Sequence, residues 1–153
     1  LGPMINPAFP SRQLVGVFNL ELARQYAYIY QKTAKDFLIL YALDGYDEVS
    51  LTGDFKFYNN EGEHQFSPER LGFNKLKQDE ISGGTTVAEA AQIFTNILAG
   101  KGTSQQNQVV TANAGLALFA AGRHKGLTAC MDEAREALLS GRAMKTFERL
   151  ISL

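Results

Sequence analysis

The sequence predicts an α/β fold, and three stretches carry that prediction. Residues 37–43 read Phe-Leu-Ile-Leu-Tyr-Ala-Leu, a charge-free apolar run ending at turn signals, as expected of a strand buried on both faces. Residues 14–18 form a second, shorter apolar run, and between the two lies a helical pattern opened by the N-cap residue Asn19. Strand, helix and strand within about 30 residues make a βαβ unit, whose default is parallel pairing. Beyond residue 85 the chain reads as helix. The expected architecture is a mostly parallel sheet with a peripheral hairpin, flanked by helices, in one α/β domain spanning 1–153.

Composition narrows the function classes. A chain of 153 residues suffices for one substantial core, and 45% hydrophobic with 20% charged residues is ordinary for a globular domain. The formal net charge of −1 gives no reason to expect nucleic acid or an anionic membrane as partner. A single cysteine, Cys130, excludes an intrachain disulfide framework and a cysteine-based zinc site, which fits a reducing cytoplasm. No apolar stretch approaches the roughly 20 residues that span a bilayer, and the opening residues lack the pattern of a signal peptide. The chain starts at Leu1 in a loop-like stretch holding Pro3, Pro7 and Pro10, so a piece of a longer protein is expected.

Element by element, the 14–18 run is expected to be buried on both faces, with Gly16 marking a close approach of another backbone or helix. The helix should run over 20–32 with Leu22, Tyr26 and Ile29 on one face and Ala23 and Tyr30 beside them. Residues 55–58 and 64–66 flank Asn59-Asn-Glu-Gly62, a hairpin signature, expected to be peripheral and partly exposed. Ser67-Pro68 starts a single helical turn that Gly72 closes. Gly83-Gly84 precedes a helix and invites a phosphate-cradle reading, but no Walker or G-x-G-x-x-G spacing accompanies it, so a flexible helix entry is favoured. Thr86-x-x-Glu89 is a capping box for a helix burying Val87, Ala90, Ala91, Phe94 and Leu98. The next helix, 104–121, is apolar nearly all round and is expected to be central, with Gly115 permitting close packing and Asn113 anchoring a loop. Two more helices, 128–139 and 143–152, should turn Ala134, Leu138, Phe147, Leu150 and Ile151 inward.

Chemistry-bearing residues are few. His64 and His124 belong to no metal-ligand or triad spacing and are expected to face solvent, and Cys130 is expected to be a buried, inert thiol. What remains is Asp44-Gly-Tyr-Asp-Glu48, placed where the strand 37–43 ends, the end at which open α/β sheets bind ligands. Magnesium commonly takes one or two carboxylates and completes its shell with water and substrate phosphates. Adjacent Asp47 and Glu48 suit that role, with Asp44 shaping the turn. Acidic Asp-Gly turns are also common solvated features, and spacing alone leaves both readings open.

Two motifs add a resemblance. Gly2-Pro-Met-Ile-Asn-Pro-Ala8 resembles the Gly-Pro-Leu-x-Asn-Pro-Ala loop of anthranilate phosphoribosyltransferases, and Asp44-Gly-Tyr-Asp-Glu-Val-Ser50 resembles their Asp-Gly-x-Asp-Glu-x-Ser motif. The order continues through Gly83-Gly84, Asn113-Ala114 and Ser140-Gly-Arg-Ala143. The resemblance implies an enzyme that joins anthranilate to the ribose of phosphoribosyl pyrophosphate, releasing pyrophosphate, in tryptophan biosynthesis. It implies a nucleoside phosphorylase-like α/β domain beside a small helical domain, in a cytoplasmic homodimer. By the same resemblance Asp47 and Glu48 hold Mg2+, while Gly2 and Pro3 line the anthranilate site. The family's Gly-Thr-Gly-Gly-Asp phosphate loop, Asn-x-Ser motif, Lys-His-Gly segment and anthranilate-binding arginine belong to a part upstream of Leu1. Where the family has Glu-Asn-Ala, this chain has Glu89-Ala-Ala91. The chain alone is therefore expected to be inactive. A pyrimidine nucleoside phosphorylase-like enzyme and a non-catalytic nucleic-acid-binding relative are the alternatives, disfavoured by the acid motif and by the charge balance respectively.

Overall fold

The structure is a computed structural model that describes residues 2–153, apart from the side chain of Pro3. The four strands are β1 (Arg12–Gly16), β2 (Asp36–Ala42), β3 (Phe55–Asn59) and β4 (Gly62–Phe66), and they lie side by side in chain order. β1 and β2 are parallel, with Val15 opposite Ile39 and Gly16 opposite Leu40. The β2–β3 and β3–β4 pairs are antiparallel. The α/β class is as expected, but the sheet is mixed, with one parallel pair out of three. The connection from β2 to β3, residues 43–54, contains no helix to carry the chain across the sheet and folds back on itself, so β3 runs back alongside β2.

β2 is buried on both faces because alternate side chains serve two cores. Leu38, Leu40 and Ala42 join Phe55 and Phe57 of β3 under α3 (Ser104–Ala120) and α4 (Leu127–Leu139). Phe37 and Ile39 join Val15, Val17 and Tyr58 under α1 (Leu20–Tyr30). The hairpin is thus part of the core rather than peripheral, since β3 sits inside the sheet and only β4 is an edge. β1 is the other edge, shifted two residues earlier than expected. Its Leu14 is exposed, so this strand is not buried on both faces.

Local signals account for the element ends. The Asn19 side chain accepts from Leu22 N at 2.8 Å and caps α1, which stops at Tyr30. At the β3–β4 turn, Asn59 Oδ1 accepts from the amides of Glu61 and Gly62. α1 buries Ala23, Ala27 and Tyr30, whereas Ile29 points outward and Leu22 and Tyr26 are half-buried. Small alanines let α1 lie close to the sheet, with Leu22 and Tyr26 packed at the margin of the contact. Gly115 does the same between α3 and α4: a Cβ there would lie 2.2 Å from Met131 Sδ.

The later helices depart most from expectation. α2 (Val87–Leu98) buries only Ile97, and Val87, Ala90, Ala91 and Phe94 are exposed. α3 joins the sheet core with Ala112 and Leu116 but turns Ala114 and Ala117 outward, so it is not central. α4 buries Ala134 and Leu138 as expected. α5 (Arg142–Ile151) buries nothing; Leu150 and Ile151 are exposed, and Phe147 meets Phe94 edge-on at 5.0 Å. An apolar stripe marks what a helix can bury, and here most of it stays exposed. Among the described residues no helix is long and apolar enough to cross a membrane.

Candidate functional site

β2 ends at Ala42, and the chain folds back on itself through residues 43–54. Gly45 N donates to Ala42 O at 2.9 Å, Ala42 N to Tyr46 O at 3.0 Å, and Leu43 N to Asp54 O at 2.8 Å. The Tyr46 ring packs against the α3 side of the core, and its hydroxyl accepts from Gln78 Nε2 at 2.8 Å. Val49, Ser50 and Leu51 are also buried. With the chain pinned inward on both sides, the residues between the pins, Asp47 and Glu48, face solvent. Their side chains make no hydrogen bond or ion pair to any described residue.

Asp44 behaves differently. Its carboxylate accepts from Ser50 Oγ at 3.0 Å and from Thr52 Oγ1, and the two hydroxyl oxygens lie 2.8 Å apart. Asp44 is therefore committed to holding the turn closed, as expected of it. Leu51 closes the segment with φ of +60°, a left-handed conformation that costs a bulky residue about 1–2 kcal/mol. It is held there by complete burial and by its carbonyl, which accepts from Leu76 N at 2.8 Å. Ser50 closes the Asp-Gly-x-Asp-Glu-x-Ser motif, but Thr52, Leu51 and Gln78 carry no signal in the sequence for these roles, because each acts through a partner set by the fold.

Two residues outside the turn fix its position. A Cβ on Gly16, at the end of β1, would lie 1.8 Å from the Asp47 carbonyl oxygen. The close approach expected at Gly16 is therefore to the acid turn itself, and only glycine allows it. From the other side, Asn113 of α3 accepts from Val49 N at 2.9 Å and donates to Val49 O at 2.8 Å and to Val109 O at 3.0 Å. This is the loop anchor expected of Asn113.

The arrangement offers two solvent-facing carboxylates, side by side in sequence and relieved of internal work, at the carboxyl end of a buried strand. Among the described residues no group of three or more His, Cys, Asp or Glu side chains is placed to hold a metal. A cation here would draw on Asp47 and Glu48 and complete its shell from water or phosphate oxygens. That is the ligand set of magnesium rather than of a closed structural zinc site.

The other expected sites fare less evenly. Gly2 lies exposed in a 3-10 turn, Gly2–Ile5, with Met4 against α1; the Pro3 side chain lies outside the described residues. No hydrogen bond joins this turn to residues 44–48. At Gly83-Gly84, the Glu89 carboxylate accepts from Thr85 N at 2.7 Å and Thr85 Oγ1 at 2.8 Å, which holds its pKa below the usual range. A fixed negative charge at that helix entry opposes a phosphate. It also means that Glu89 reaches back to Thr85, while the Thr86 side chain alone completes its half of the capping box. His64 is half-buried and stacks on Phe57 at 4.9 Å, so it does not simply face solvent. His124 is exposed and pairs with Glu133 at 2.6 Å. Burial pushes the Cys130 thiol pKa up, consistent with an inert role.

The fold is an α/β domain with an acid turn at the end of β2. The chain belongs to the glycosyl transferase family, a/b domain, whose model matches residues 1–144. Among curated relatives, the anthranilate phosphoribosyltransferases of Flavobacterium psychrophilum and Christiangramia forsetii are 52% and 53% identical over the whole chain. The chain spans 46% of the length of each, just under half. The solved anthranilate phosphoribosyltransferase of Thermus thermophilus superposes with a TM-score of 0.80 at 26% identity, covering 90% of this chain and 41% of that one. The Saccharomyces cerevisiae enzyme, solved in complex with PRPP and Mg, superposes with a TM-score of 0.86 over 99% of this chain and 44% of that one; at 21% identity the likeness is one of fold.

Proposed function

We propose that this chain is the C-terminal α/β part of an anthranilate phosphoribosyltransferase, one domain of a longer two-domain, homodimeric, cytoplasmic enzyme of tryptophan biosynthesis. The full protein would transfer phosphoribosyl from phosphoribosyl pyrophosphate to the amine of anthranilate and release pyrophosphate. The observation that carries the reading is 52% identity over the entire chain to an enzyme of that name.

Within it, Asp47 and Glu48 would hold Mg2+, in keeping with the magnesium in the yeast complex. Bound there, the ion would neutralise charge on the departing pyrophosphate. The chain's own contribution is to present two carboxylates in fixed positions: Asp44 is withdrawn into the turn, and Tyr46, Val49 and Leu51 anchor its flanks. The Gly2-Pro3 turn would border the anthranilate. Attack of an amine on an oxocarbenium-like ribose needs placement and charge stabilisation above all, so rigidity of the turn matters more than acid–base strength.

The test is loss of anthranilate fluorescence with phosphoribosyl pyrophosphate and Mg2+. The 153-residue chain alone should show no turnover. The chain joined to the upstream half of the Flavobacterium psychrophilum relative should turn over, and Asp47→Asn with Glu48→Gln should lower its kcat/KM at least about 100-fold, the scale of a lost electrostatic contact in the transition state. A folded, dimeric fusion with no turnover would contradict the reading, as would full activity of the double variant.

A further inference from the structure

Asn113 belongs to α3, 64 residues from the turn, yet its amide takes both backbone groups of Val49, the residue directly after Glu48. The same Nδ2 also donates to Val109 O, within its own helix, so the side chain has no freedom to rotate away. On the opposite side of the turn, the Asp47 carbonyl sits against Gly16 with no room for a Cβ. The carboxylate pair thus hangs between a hydrogen-bonded clamp and a steric stop, one from α3 and one from β1. Neither residue reaches the cation position itself. We infer that Asn113 is a positioning residue for the Asp47–Glu48 cation site, acting through Val49 and against the stop at Gly16.

The inference rests on the metal role proposed for those two carboxylates, and the physical basis is general. Groups that orient metal ligands without touching the metal typically alter its affinity 10–100-fold when removed. Asn113 orients backbone rather than a ligand side chain, so the lower end applies. Loss of its amide frees Val49 N–H and C=O at once, and the segment 47–49 then keeps the Gly16 contact and the core packing of the Val49 side chain.

The experiment is a Mn2+ titration of the 153-residue chain, reading free Mn2+ by electron paramagnetic resonance, with no substrate present. Asn113→Leu should weaken Mn2+ binding about tenfold. Ala134→Gly, at a buried α4 position with no hydrogen bond to the turn, lowers stability as a control and should leave Mn2+ affinity unchanged. Should Asn113→Leu not fold, Asn113→Ser carries the same test with the same expected direction. If the native chain binds Mn2+ and Asp47→Asn with Glu48→Gln abolishes it, while Asn113→Leu or Asn113→Ser binds as the native chain does, the inference is overturned and the metal reading survives. A weakening by Ala134→Gly equal to that by Asn113→Leu also overturns it, because affinity would then follow stability. If the native chain takes up no Mn2+ that depends on Asp47 and Glu48, both fall together.

Discussion

β2 and α2 carry apolar patterns of similar clarity, and they end in opposite environments. Every residue from Phe37 to Leu40 is buried between two layers, while α2 leaves Val87 and Phe94 in solvent. The difference lies in what each element has beside it. β2 has strands on both edges and helices on both faces, so its pattern is satisfied from within residues 2–153. On the apolar side of α2, Phe94 meets Phe147 of α5. An apolar pattern therefore states a capacity for burial, and neighbours decide whether it is used.

Mutations should separate the two regions cleanly. Ile39→Ala removes a completely buried side chain and should cost about 2–5 kcal/mol in urea unfolding. Gly16→Ala tests the close approach that places the acid turn, and relief of that overlap should cost about 1–3 kcal/mol. Val87→Ser, at a position 88% exposed, should stay within about 0.5 kcal/mol. A large loss at Val87 would show that α2 is covered in solution and would erase the contrast.

The smallest expected effect is electrostatic. Hydrogen bonds from Arg123 and then His124 hold the Glu133 carboxyl below the usual carboxylate range. A depressed carboxylate pKa adds stability above its ordinary value and loses it as pH falls through the folded-state value. The gap in Tm between the native chain and Glu133→Gln should therefore be slight near neutrality and close as the pH is lowered through that range. A gap that widened on acidification would contradict this.

The same contrast explains what the sequence made legible. β2, the Asn19 cap and the Asn59–Gly62 turn were readable because each rests on local chemistry over a few residues. Gly16 and Gly115 announced close approaches, and Asn113 announced an anchor, yet none named its partner: Asp47, Met131 and Val49 are supplied by the fold. The mixed sheet escaped because β3 looked like the start of an isolated hairpin, when its Phe55 and Phe57 complete the core beside β2. The inward faces of α2 and α5 escaped because periodicity cannot report a missing neighbour. At the site, Asp47 and Glu48 stood out by type and position, whereas the commitment of Asp44 needed Ser50 and Thr52 in place.

The central claim is that the turn after β2 presents Asp47 and Glu48 to a divalent cation. Its most direct test is residue-resolved NMR of the native chain with substoichiometric Mn2+, which broadens amides close to the bound ion. The account predicts broadening centred on Asp47 and Glu48, spreading to Gly16 through its contact with Asp47, and abolished by Asp47→Asn with Glu48→Gln. Broadening centred on another acidic stretch, such as Asp132 and Glu133, or unchanged in the double variant, would contradict it.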